Sequence, residues 1–196
     1  MIGPVVVGPP VASKVLLVGQ APGPREGALG RPFAWTAGRQ LFRWFAPLGV
    51  DEAGFRARVY MSAVCRCFPG KGAGGGGDRV PAPDEVAACR PWLDAEVRLL
   101  RPALIVPVGR LAIAQLLPDA ADAPLAEVIG RAFRGARAGR AFDVIPLPHP
   151  SGASTWFRRP PGDRLLRKAL RLVARHPAWA KVSGRRVGGD SGPGER

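Results

Sequence analysis

Short apolar runs alternate along this chain with longer amphipathic segments, and this alternation constrains the fold more than any other feature. The apolar runs cover residues 14–18, 59–64, 103–108 and 142–147. The amphipathic segments cover residues 36–48, 83–100, 110–117 and 163–175. Strands that alternate with helices favour a mostly parallel sheet with helices on both faces. We therefore predict an α/β fold, a three-layer α/β/α sandwich around a mostly parallel four-stranded sheet.

The length of 196 residues suits one domain, and a hydrophobic content of 46% can support a packed core. We predict a single domain over residues 1–180 and a disordered basic tail, rich in Gly, Arg and Ser, over residues 181–196. No window approaches 18 uninterrupted apolar residues, and the N-terminus lacks the basic leading region of a signal peptide. The sequence thus predicts a cytoplasmic protein with no membrane span.

The net charge of +14 comes from 29 Lys and Arg against 15 Asp and Glu. Such a surface attracts polyanions, and nucleic acid is the usual partner. Twenty-five of the 29 cations are Arg, a skew that genomic base composition can also produce. A basic protein without a polyanionic partner is the alternative interpretation.

Two unusual segments follow predicted strands, where open α/β sheets bind their ligands. Residues 19–26 (GQAPGPRE) and 30–33 (GRPF) combine glycines and prolines that make a rigid turn, with Glu26 placed to position a water. His149 lies between Pro148 and Pro150, which restrict the backbone and so fix the direction of the imidazole. A structural turn, and a histidine bonded to a nearby carbonyl, are the alternatives.

Together these segments resemble the uracil-DNA glycosylase superfamily. Its first motif, G-[EQ]-x-P-G-x-x-E, matches residues 19–26, and its second, H-P-S-x, matches residues 149–152. Residues 30–33 are similar to the G-R-P-F segment of the family-4 and family-5 enzymes. Three further stretches are similar to their second strand, the helix after it and a later turn: residues 60–69, 83–93 and 108–112. The resemblance runs in collinear order over about residues 14–175.

The resemblance implies hydrolysis of the N-glycosidic bond of a flipped deaminated base, uracil first, which leaves an abasic site in base-excision repair. Glu26 and His149 are the catalytic residues it implies, the first for water or the sugar cation and the second for the leaving base. The base-binding residues it implies are Gly19, Gln20, Ala21, Phe33 and, at the end of the second strand, Ser62 or Ala63. The partner it implies is single- or double-stranded DNA that contains a deaminated base, and we expect the protein to be a monomer. The loop that would enter the DNA comprises Pro150, Ser151, Gly152, Ala153 and Ser154.

Two departures from the family pattern bear on specificity and cofactor. Most relatives end the second strand with an asparagine that recognises uracil, whereas Ser62 or Ala63 stands here. A glycosylase for hypoxanthine or xanthine, and a non-catalytic nucleic-acid-binding or damage-sensing protein, are therefore alternatives. Family-4 enzymes hold a 4Fe–4S cluster with four cysteines, but this chain has only three, at positions 65, 67 and 89. We predict no metal and no cofactor.

Overall fold

The computed structural model describes residues 1–73, 77–152 and 154–184. The strands of its central sheet are β1 (Val15–Gly19), β2 (Tyr60–Ala63), β3 (Leu104–Pro107), β4 (Phe133–Arg137) and β5 (Arg140–Val144). They lie in the order β2-β1-β3-β5-β4. Strands β2, β1, β3 and β5 run parallel to one another, and β4 runs antiparallel to β5 at the edge. The predicted α/β class is confirmed.

The prediction of four strands was wrong, because β4 is a fifth. Its residues alternate between half-buried and exposed positions, and two of the five are Arg, so it lacks the apolar run that marks the other strands. A two-residue turn joins it to β5, with Ala138 and Gly139 both at positive φ (51° and 72°). Such turns match the twist of a hairpin, so Ala138-Gly139 was the one local sign of this strand.

Helices cover both faces of the sheet, as predicted. They are α1 (Glu26–Leu29), α2 (Thr36–Phe45), α3 (Glu52–Arg58), α4 (Pro83–Leu100), α5 (Arg110–Leu116), α6 (Leu125–Val128), α7 (Gly162–Arg175) and α8 (Pro177–Ser183). One core contains Phe45, Phe55 and Trp179 from α2, α3 and α8. The opposite core contains Leu93 and Val97 from α4. Residues of β1 contribute to both cores, so this strand is buried on each face.

Helix α8 continues past the boundary predicted between the domain and the tail. Lys181–Ser183 form its last residues, and Val182 is buried in the core. Residues 185–196 of the predicted tail lie outside the described residues. Within the described ranges, no helix combines the length and the apolar character that crossing a bilayer requires.

A buried polar network joins β2 to α4 on the side of the sheet away from α2 and α3. The Ser62 hydroxyl donates to Glu96 (2.7 Å) and accepts from Arg66 (2.7 Å). The Arg66 guanidinium pairs with Glu96 at 2.6 Å, and the Tyr60 hydroxyl donates to Glu96 at 2.9 Å. Burial, and next the Glu96 carboxylate, raise the pKa of Tyr60 to about 12. The network therefore fixes the side-chain direction of alternate residues in β2.

We predict that Glu96→Ala lowers the free energy of unfolding by about 3–5 kcal/mol, because it leaves the buried Arg66 charge without its partner. Urea denaturation followed by circular dichroism measures this change. The matched control, Glu127→Ala on the exposed face of α6, should change stability by no more than about 0.5 kcal/mol. Equal stability of the two variants would contradict the role assigned to the network.

Candidate active site

A cavity of about 450 Å³ opens at the carboxyl ends of β1 and β2. Five parts of the chain line it: the N-terminal segment at Val6, the connection from the end of β1 into α2, the end of β2, the connection from β2 to α4, and the turn at His149 and Ser151. The two segments singled out in the sequence thus meet in one place. This is the edge of a parallel sheet at which ligands usually bind.

Glu26 is the buried carboxylate of this cavity. Its two oxygens accept hydrogen bonds from the backbone N–H groups of Gly23 (3.3 Å) and Ala34 (3.1 Å). Burial raises the pKa of Glu26 above its ordinary value, although these hydrogen bonds, another from Phe33 and the charge of Arg56 oppose the shift. The carboxylate is therefore held at a fixed point in the cavity wall, with little water to stabilise its charge.

Arg56 of α3 supports the Gly-Arg-Pro-Phe turn from outside the cavity. Its guanidinium donates to the carbonyl oxygens of Pro32 and Phe33, each at 2.9 Å, and to Glu52 at 2.9 Å. Sequence reasoning did not identify this residue, because an arginine on an amphipathic helix ordinarily faces solvent. Its role appears only when α3 is packed against the turn.

The Phe33 ring packs closely against the end of β1. A Cβ atom at Gly19 would lie 2.8 Å from Cζ of this ring, so only glycine permits the contact. Phe33 itself has φ of 53°, an uncommon conformation for a bulky residue. Gly38 has no room for a Cβ beside the Phe33 carbonyl oxygen. The Phe33 ring is thus held in the cavity wall by close packing at Gly19 and Gly38 and by the hydrogen bond from Arg56 to its carbonyl oxygen.

His149 presents a neutral ring to the cavity. The backbone N–H of Ser151 donates to Nδ1 at 3.2 Å, so Nε2 carries the proton. Burial lowers the pKa of His149, and the charge of Asp78 partly opposes this shift. A Cβ at Gly109 would lie 2.9 Å from the ring, so that glycine allows the imidazole its position. His149 can therefore act as a hydrogen-bond donor without carrying a charge.

The cavity brings together most of the residues predicted for the site. The predicted residues that line it are Gly19, Gln20, Ala21, Glu26, Phe33, Ala63, His149 and Ser151. Ser62 does not line the cavity, because its hydroxyl belongs to the network with Glu96. Pro150, Gly152 and Ser154 lie outside the lining, and Ala153 is not among the described residues. The roles of all these residues stay predictions.

Sequence reasoning missed several residues of the lining, among them Arg25, Trp35 and Asp78. Arg25 lies over the Trp35 ring, 4.2 Å from its centroid, and both residues line the cavity. Asp78 follows a run of glycines, and nothing in that run shows that the chain returns to the cavity there.

A 4Fe–4S cluster takes four thiolate ligands, and this chain has three cysteines. Cys65 is buried, and its Sγ lies 3.7 Å from the carbonyl oxygen of Glu85. Burial, and next the neighbouring Cys89, raise the pKa of Cys65 to about 12, which keeps its thiol protonated. In the part of the chain that the structure describes, no three side chains of His, Cys, Asp or Glu come together as a metal site.

Comparison with known proteins agrees with this geometry. Residues 5–174 match the family described as the Uracil DNA glycosylase superfamily. The chain is 32% identical over 140 residues to a Type-4 uracil-DNA glycosylase of Pyrobaculum aerophilum, a match covering 70% of this chain and 66% of the relative. It is 29% identical over 172 residues to a Type-4 enzyme of Thermotoga maritima (88% and 80% covered).

A third relative, a Type-5 uracil-DNA glycosylase of Thermus thermophilus, is 34% identical over 121 residues, which cover 54% of this chain and 50% of that protein. The chain spans just under two thirds of the Pyrobaculum relative's length. The family match nevertheless takes in every strand and every residue of the cavity lining. The chain belongs to the uracil-DNA glycosylase superfamily.

Proposed function

We propose that this protein is a DNA glycosylase that releases a flipped deaminated base, uracil first, and leaves an abasic site. The observation that carries the proposal is a buried carboxylate, Glu26, in the same cavity as a neutral imidazole N–H, that of His149. Both groups favour cleavage of an N-glycosidic bond, because the sugar becomes cationic as the base becomes anionic.

The reaction divides between these two groups. As the bond between C1′ and the base nitrogen breaks, its electron pair leaves with the base, and His149 Nε2 donates a hydrogen bond to the developing anion. Glu26 faces the cationic sugar and orients a water, whose oxygen bonds to C1′. The water loses one proton, and the departing base takes one up. Fixed groups in a site that excludes water stabilise both charges more than solvent would.

The rest of the cavity supports a role in holding the base. The Phe33 ring offers a surface on which a base can stack, and Gln20 and Ala21 line the same cavity. The loop over residues 150–154 is proposed to fill the gap left in the DNA stack. The excess of cations supplies attraction to phosphates, so binding should weaken as salt concentration rises.

A second candidate function is damage sensing without catalysis. The observation that favours it is the end of β2, where Ala63 places only a methyl group in the cavity and Ser62 is turned away. A site that recognises a base poorly can still bind distorted DNA. Binding to uracil-containing DNA without release of free uracil, in single and double strands alike, would favour this candidate.

We predict that Glu26→Gln and His149→Ala each slow uracil release by at least about 100-fold, the usual contribution of one such group. Single-turnover assays on uracil-containing oligonucleotides measure the rate, and urea denaturation checks that each variant folds. Glu127→Gln, an exposed change of the same chemistry, should leave the rate unchanged. Wild-type rates in both folded site variants would refute the assigned roles.

The rate of uracil release should also fall as the pH is lowered, because protonation removes the charge of the Glu26 carboxylate. Because burial raises the pKa of this carboxyl above 4.5, its protonation begins at a higher pH than for a free Glu. The pKa of His149 is lowered from 6.5, so the ring stays neutral at pH 7. We expect a single-turnover rate that declines as pH falls, with a midpoint above pH 4.5. The residual rate of Glu26→Gln should lack this decline, and a wild-type midpoint at or below pH 4.5 would contradict the prediction.

A further inference from the structure

The connection from β2 to α4 returns to the cavity at Lys71 and Asp78. These two residues face each other across an antiparallel bridge. Backbone hydrogen bonds from Gly72 N–H to the Gly77 carbonyl (2.8 Å) and from Arg79 N–H to the Gly70 carbonyl (3.0 Å) hold the two sides together. The bridge therefore fixes where both side chains begin, next to the cavity.

Lys71 and Asp78 form an ion pair in the cavity lining. Lys71 Nζ lies 2.8 Å from Asp78 Oδ1, and the two side chains are 55% and 37% exposed, so a ligand in the cavity can reach them. The second carboxylate oxygen, Oδ2, lies toward the turn of the first motif, 3.8 Å from where a Cβ of Gly23 would be. The carboxylate of the pair is thus close to the segment that carries Glu26.

The chemistry of the pair is directional. An ammonium group only donates hydrogen bonds, and a carboxylate only accepts them. Uracil has a ring N–H at N3 beside the carbonyl at C4, and hypoxanthine and xanthine have the same order at N1 and C6. Each of these edges places its N–H against the carboxylate and its carbonyl against the ammonium. Cytosine in the same pose would place an acceptor nitrogen against Asp78 and an amino group against Lys71.

We propose that the Lys71–Asp78 pair recognises the N–H and carbonyl edge that deaminated bases share. The proposal rests on the proposed glycosylase function and deepens it. It also agrees with the end of β2, where Ala63 offers no side-chain hydrogen bond and Ser62 is bonded to Glu96. Among the described residues of this connection, Lys71 and Asp78 are the ones that bring polar side chains to the cavity lining, so recognition of the edge falls to them.

The alternative is an ion pair that only stabilises the turn. Exposed pairs of this kind contribute about 0–1 kcal/mol, and their removal would not change which base binds. The two roles therefore differ in base discrimination, which is the quantity to measure.

The test compares Asp78→Ala and Lys71→Met with Asp119→Ala and Lys168→Met, matched changes at exposed positions outside the cavity. Free uracil and free 3-methyluracil, whose N3 carries a methyl group instead of hydrogen, are used as inhibitors of uracil release. In the wild type and the controls, uracil should inhibit at least about tenfold more strongly than 3-methyluracil. A site that accepts a hydrogen bond from the N–H of a ligand binds an analogue without that N–H poorly, because its own acceptor is left unpaired. Asp78→Ala should bring the two inhibition constants to within about threefold.

A second measurement follows single-turnover release from oligonucleotides containing uracil, hypoxanthine or cytosine. Both site variants should lose rate on the two deaminated bases and lose preference over cytosine, while their affinity for abasic-site DNA changes no more than in the controls. The inference is overturned if Asp78→Ala and Lys71→Met retain activity and discriminate between the bases as the wild type does, or if they lose rate equally on every base. Either result leaves the glycosylase proposal intact. A wild type that releases none of the three bases refutes the glycosylase proposal itself.

Discussion

The shape of the cavity depends on the hydrogen bonds that the Glu26 carboxylate accepts from the connection between β1 and α2. Glu26 accepts from Gly23 on one side of α1 and from Ala34 on the other, so it closes the chain between β1 and α2 into a loop. A buried carboxylate is unfavourable without such partners. The same bonds that stabilise the loop therefore also hold a carboxylate in the cavity that Phe33 lines, so Glu26 contributes both to the structure of the loop and to the charge of the cavity.

The sequence predicted the parts of the molecule in which local pattern and fold agree. Apolar runs located β1 and β3, and two motifs located Glu26 and His149 in what proved to be one cavity. It failed where the determining contact is distant in the chain. Strand β4 is identified by its pairing with β5. The role of Arg56 is identified by its hydrogen bonds to the carbonyl oxygens of Pro32 and Phe33. Asp78 reaches the cavity because the glycine-rich connection turns back to pair with Lys71.

The alternation of β2 explains why the sequence left Ser62 and Ala63 as alternatives. Successive strand residues point to opposite faces, so a shift of one position exchanges cavity for core. The hydroxyl of Ser62 joins Arg66 and Glu96, which directs Ala63 toward the cavity. A polar residue next to a motif is thus no guide to the site until its hydrogen bonds are known.

The contact between Gly19 and the Phe33 ring has a consequence for how this sequence can change. A side chain at position 19 meets the ring at once, whereas a smaller residue at position 33 would remove the obstacle. Residues in direct contact show non-additive effects when both are replaced. Position 19 is therefore free to vary only after position 33 has changed, because a substitution at Gly19 that is harmful alone becomes tolerable once the aromatic ring has been lost. In such a pair of changes, the replacement of Phe33 comes before that of Gly19.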